Sequence, residues 1–161
     1  MSWNTLQPFA TWLGQSWLGQ WMGQSTARIG WLLTLHLVGI TLLLGGVILA
    51  SLHLFGLFLP TVPTPRVRQT LLPVMLGGLL LALVTGTLTF IGGEDGYFVS
   101  EWFRTKMELL AVALIFQATV FWWSMGVERS RRPAIVGVLT GLVALGLWFG
   151  VAFSGRAIAY F

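Results

Sequence analysis

Hydrophobic and polar positions fall in long blocks along this chain. Four apolar runs, at roughly 29 to 59, 70 to 92, 102 to 126 and 134 to 154, are separated by short segments that hold most of the charges. A helix that crosses about 30 Å of hydrocarbon needs about 20 apolar residues, and every run meets that length. With their flanking residues the runs predict transmembrane helices over about 26–59, 70–92, 102–126 and 134–157. The expected fold is an all-α integral membrane protein, a four-transmembrane-helix bundle occupying residues 26–161.

Local signals refine each span. Pro60, Pro63 and Pro65 in "PTVPTP" are expected to stop the first helix, because proline lacks the backbone donor that a helix interior needs. About 31 residues would then extend about 46 Å, so this helix must tilt, protrude or bend, and the adjacent Gly45 and Gly46 are the expected place for a bend or a close helix contact. Gly78 and Gly86 in the second span, and Gly137, Gly141 and Gly146 in the fourth, predict further close approaches. Residues 1–25 contain "WLGQSWLGQWMGQS", with Phe9, Leu13, Trp17 and Trp21 four apart. Indole rings favour the headgroup layer, so this segment is expected to lie on the membrane as an interfacial amphipathic helix, with a partner-binding arm as the alternative.

Composition agrees with the pattern. Hydrophobic residues make up 56% and charged residues 9% of the chain, with a mean hydropathy of +0.83, outside the range of soluble domains. The formal net charge of +4 comes from nine Lys and Arg that mostly flank the apolar runs, a distribution suited to lipid headgroups rather than nucleic acid. The lack of cysteine excludes disulfides and thiolate metal sites built from this chain. The loops joining the first to the second and the third to the fourth span carry Arg66, Arg68, Arg129, Arg131 and Arg132. The opposite side carries Arg28, Arg104, Lys106 and Arg156 together with Glu94, Asp95 and Glu101. The positive-inside rule then places both termini outside, in a bacterial inner membrane.

Ionisable groups at membrane depth mark functional sites. His36 is expected two to three turns below the outer end of the first helix, with Lys106 and Glu108 one turn into the third and Arg156 near the end of the fourth. An imidazole in lipid needs partners for its ring nitrogens, which Thr34 or Thr85 could supply; otherwise it is free for ligation or proton handling. His53, seventeen residues later, lies about 25 Å along the helix from His36. The two cannot share one metal ion; His53 is a separate metal candidate or a group facing headgroups. A cofactor suited to a helical bundle with imidazole and no thiolate is haem b, with His36 as axial ligand and Lys106 and Arg156 as partners of the propionates. Met107 or Met75, Lys106, water or a second chain would complete the coordination. Copper is the alternative, since imidazole with thioether suits it, although Met22, Met75, Met107 and Met125 do not cluster.

The order "LHLVGITLLLGG", Arg66 and Arg68, "LLPVMLGGLLLALVTGTLTF" and "WFRTKMELL" resembles the CopD-like membrane superfamily, which joins copper-resistance protein CopD with small four-helix relatives of unassigned role. The same elements, over about residues 30 to 115, are similar to HemJ-type protoporphyrinogen oxidase. That resemblance implies a haem-linked histidine at His36 and a lysine at Lys106, four residues after Trp102. Where HemJ-type proteins carry a Pro-Arg-Leu element and further histidines, this chain reads "VILASLHLFGL".

Three functions follow as expectations. The first is a haem b-binding membrane protein for electron transfer or membrane-associated oxidoreduction, passing electrons to a quinone or a redox partner protein. The second is a non-catalytic subunit of a larger membrane complex, and the third is copper handling of the CopD type. A missing axial ligand would be explained by a homo-oligomer or a partner chain. No nucleotide loop or Ser/His/Asp arrangement supports ATPase or hydrolase chemistry.

Overall fold

The structure, a computed structural model, describes residues 7–92 and 100–158 and is helical throughout those segments apart from turns. Two short helices, α1 (Gln7–Gly14) and α2 (Trp17–Gly23), precede α3 (Thr26–Phe55) and α4 (Thr64–Gly92). Next, α5 (Glu101–Phe116) continues through a π turn (Gln117–Phe121) into α6 (Trp122–Gly126), and α7 (Ala134–Ala157) follows. Four helices are long and apolar enough to cross a membrane: α3, α4, the continuous span Glu101–Gly126, and α7. The chain is an all-α four-helix membrane protein. Large apolar side chains such as Leu37, Leu80, Ile115 and Phe153 stand on the outer faces, where lipid takes the place of water and lets a bundle remain apolar outside.

The helices are ordered in space as α4, α3, α7, α5. Helix α3 packs along both α4 and α7, α5 packs along α7, and α4 meets the third span chiefly through α6. The crossing of α3 and α4 is at Gly39 and Gly78. A Cβ on Gly39 would stand 2.7 Å from the amide nitrogen of Ala82 and 2.8 Å from the carbonyl oxygen of Gly78, and one on Gly78 would stand 2.7 Å from the carbonyl oxygen of Gly39. Only glycine permits backbones this close. On the other flank of α3, Gly137 of α7 lies against the Leu54 carbonyl, and Gly141 against Phe55 and Ser51.

Several boundaries depart from the sequence expectation. Helix α3 ends at Phe55, capped by Gly56, and not at the prolines. Gly56 takes a left-handed φ of 82°, its N–H donates to the His53 carbonyl at 2.9 Å, and the Leu57 N–H donates to the Leu52 carbonyl at 2.9 Å. This pair of bonds is a Schellman motif, which closes the open carbonyls of a helix end. Helix α4 starts at Thr64 instead of residue 70, because Pro65 sits in the first turn, where its missing donor is not required. No helix break occurs at Gly45 and Gly46: α3 runs through both, Gly46 accommodates the Met75 side chain, and Gly45 faces open space, as does Gly146. The expected close contact therefore falls on Gly46 alone.

The amino-terminal segment forms two helices rather than one. Ser16 caps α2, accepting from the Gly19 N–H at 3.2 Å while its hydroxyl donates to the Leu13 carbonyl at 2.5 Å. Met22 is buried against Gly92 of α4. Trp12 and Trp17 stay exposed, and Trp17 stacks on Trp21 with ring centroids 6.4 Å apart. Residues 1–6, the acidic pair Glu94 and Asp95, and the terminal residues 159–161 lie outside the described residues.

Candidate functional site

His36 is built into the α3–α4 interface. Its Nδ1 lies 2.8 Å from the carbonyl oxygen of Ala82 and 3.1 Å from the hydroxyl oxygen of Thr85. A carbonyl only accepts, and the Thr85 hydroxyl donates its own proton to the Leu81 carbonyl at 2.6 Å. Nδ1 must therefore carry the hydrogen, and in the neutral ring Nε2 holds the free lone pair. No group among the described residues engages that nitrogen. Gly86 makes room for the ring: a Cβ there would stand 2.9 Å from Cε1. Thr85, named from sequence as a partner, is one; Thr34 instead donates to the Gly30 carbonyl on its own helix.

Lys106 of α5 lies within electrostatic range of this imidazole. Its stem crosses α7 at Gly155, where a Cβ would stand 3.4 Å from both Cε and Nζ. Aromatic pairs hold α5 at this end of the bundle. Phe103 stacks on Phe90 of α4 at 5.5 Å, and Trp102 meets Phe153 of α7 edge to face at 6.0 Å. The structure thus brings His36 and Lys106 into one neighbourhood with the buried Thr89 and Ser154 near the same end of α4 and α7. Arg156, next to Gly155, is exposed, as is Glu108.

The other proposed ligands are elsewhere. Met107 is 39% exposed on the outer face of α5. Met75 is buried against Gly46, ten residues beyond His36 on the α3 scale and so about 15 Å deeper. His53 faces neither headgroups nor an open site: it is buried, with Nδ1–H donating to the Phe58 carbonyl at 2.9 Å and Nε2 accepting from the Thr64 hydroxyl at 3.2 Å. Both nitrogens being used, its task is to tie the end of α3 to the start of α4. Among the described residues there is no group of three or more His, Asp or Glu placed to hold a metal ion.

Arg132 and Gln117 are buried polar residues whose burial was not foreseen from sequence. Arg132 was counted as a loop cation, yet it is buried and donates to both the carbonyl and the hydroxyl of Ser124, packing its guanidinium against Gly137. Gln117 opens the π turn and accepts from the indole N–H of Trp148 at 3.1 Å. It is the sole amide side chain in the third apolar run, a polar group at membrane depth that could have been read as a signal.

No family model, curated protein or solved structure matches the chain.

Proposed function

We propose that this protein binds haem b through Nε2 of His36 and serves electron transfer or oxidoreduction within the membrane. The observation that supports this reading is the fixed tautomer of His36. A ring whose Nδ1–H is held by a carbonyl presents Nε2 as a basic, pre-oriented donor, the arrangement found behind metal-bound histidines. A single imidazole suits an ion that arrives with ligands of its own better than a bare ion that needs three or four protein donors, so the geometry favours haem over copper. When bound, haem supplies a one-electron couple whose potential the axial nitrogen and its surroundings tune.

The chain's own groups have separable roles in this proposal. Ala82 and Thr85 orient the imidazole, Gly86 gives it space, and Lys106 and Arg156 supply positive charge for propionates. Met107 faces outward, so a second axial ligand would come from water or from a second copy of the chain, which makes a homo-oligomer the expected assembly. Trp17 and Trp21 would rest in the headgroups, with both termini outside a bacterial inner membrane. The family resemblance noted from sequence points to the same two residues, His36 and Lys106.

Absorption spectra of protein purified in mild detergent from haem-replete cells, oxidised and then reduced with dithionite, test this. The expected result is a Soret band that shifts on reduction and is lost in His36→Ala while the helical circular dichroism is kept. A folded, iron-free and colourless wild-type protein overturns the proposal.

A further inference from the structure

The amide of Gln117 is only half used. The residue is 6% exposed, and the Trp148 indole, which can only donate, fixes its oxygen toward α7. Its Nε2 is buried with no hydrogen-bond partner. An amide donor left bare in hydrocarbon is costly and calls for an explanation. The π turn that begins at Gln117 is itself a local departure from the regular ladder, with the Trp122 N–H reaching back to the Gln117 carbonyl. Such bulges recur at functional sites.

Gln117 also lines a cavity of about 110 Å³ whose other walls include Leu43, Met75, Trp122 and Trp148. Leu76 of α4, 50% exposed, and the exposed Ala118 of the π turn stand at its rim. Because α4 and α5 scarcely touch above α6, the opening between them faces the lipid rather than a headgroup layer. A water molecule is a poor occupant: it needs two to four polar partners, and this lining offers one amide. A purely apolar molecule would fill the space and leave Nε2 unsatisfied. A closed cavity of roughly 150 Å³ holds a whole benzene ring; this one is smaller but open on one side, so it takes the leading part of a single ring, with the rest of the ring and its tail in the rim.

We propose that the Gln117 cavity is a lipid-accessible site for the head of a membrane-soluble compound built on one carbonyl-bearing ring, of the benzoquinone type, with a ring carbonyl accepting from Gln117 Nε2 and the ring lying beside Trp122 and Trp148. The site deepens the electron-transfer reading by naming a partner class. It nevertheless stands on its own residues: Leu43 is seven residues, about 10 Å, from His36 along α3, and binding here is measured without reference to colour.

The test is titration of the purified protein in lipid nanodiscs with a decyl-tailed benzoquinone, read by quenching of tryptophan emission, beside decylbenzene as a carbonyl-free competitor. Saturable quenching is expected. Gln117→Leu should weaken it about five- to tenfold, the worth of one hydrogen bond, and decylbenzene should compete at least as weakly. Since Gln117→Leu also strips Trp148 of its acceptor, Ala118→Phe serves as the second variant: placed on the outer face it leaves the fold intact, narrows the rim and should abolish saturation. Quenching that never saturates, or that is unchanged in a folded Ala118→Phe, overturns the proposal. So does competition by decylbenzene equal to that of the quinone, which would mean an apolar crevice only. A colourless protein that shows the expected saturation would remove the haem reading and leave this one standing.

Discussion

The Nδ1 of His36 and the carbonyl oxygen of Ala82 lie 2.8 Å apart across the α3–α4 interface. That carbonyl belongs to the turn preceding Gly86, so one stretch of α4 both orients the ring and leaves it space. The imidazole is a fixed group with one nitrogen committed and one presented.

Gly86→Ala tests that fit. The added Cβ would meet Cε1 at 2.9 Å and Nδ1 at 3.3 Å, so the ring must shift from its place against Ala82 and Thr85. Overpacking of this kind costs about 1–3 kcal/mol. The expected outcome is a lower thermal midpoint in detergent and, under the haem proposal, a lower ratio of Soret to protein absorbance, with Thr85→Val giving a smaller change in the same direction, about 1 kcal/mol for one hydrogen bond.

The α3–α4 crossing should be the most side-chain-intolerant contact of the bundle. Gly39→Val and Gly78→Val each drive a branched side chain into facing backbone, which cannot retreat as a side chain would. Loss of the folded monodisperse species on size-exclusion chromatography is expected for both. Gly45→Ala and Gly146→Ala, which meet open space, should leave stability equal or raise it by up to about 1 kcal/mol through helix propensity.

His53 is predicted to matter for stability and not for colour. His53→Ala removes two hydrogen bonds, one of them buried, and leaves the Thr64 hydroxyl without its acceptor, a loss of about 2–4 kcal/mol when each bond counts for about 1–2 kcal/mol. Thermal unfolding should report the drop, while the spectrum per folded molecule stays that of wild type. A spectrum altered in His53→Ala at full stability would assign His53 a ligand role instead.

Arg132 and Arg131 separate a buried cation from a surface one. Arg132→Ala leaves the Ser124 carbonyl and hydroxyl without their donor and opens space beside Gly137, and should destabilise the fold by about 2–3 kcal/mol, the range for a hydrogen-bonded charged group. Arg131→Ala, on an exposed side chain, should stay within about 0.5 kcal/mol. Thermal unfolding of the two variants side by side checks the difference.

How far the sequence could be read depended on the range of the interaction involved. Apolar run length is local, and the backbone of each span satisfies itself, so the four helices of 30, 29, 26 and 24 residues were legible to within four positions at every end except the start of α4, which lies six residues earlier than expected. The exceptions were ends set by competing local signals. Gly56 halted α3 before any proline was reached, and Ser16 began a new helix within the tryptophan repeat. Close approach at Gly78 was foreseen, yet its counterpart Gly39 was not, because a glycine pair is defined by two helices and not by spacing on one.

By itself, then, the sequence determined that this chain is a four-span membrane protein, and that His36 and Lys106 are polar groups requiring explanation, since hydrophobic length and the cost of charge in lipid act residue by residue. Tertiary structure alone decided which nitrogen of His36 is presented, that His53 is consumed by Phe58 and Thr64, that Met107 faces outward, and that Gln117, its amide donor buried and unused, lines a cavity. Each of those depends on the azimuth of one helix against another, a quantity fixed by packing between segments far apart in the chain.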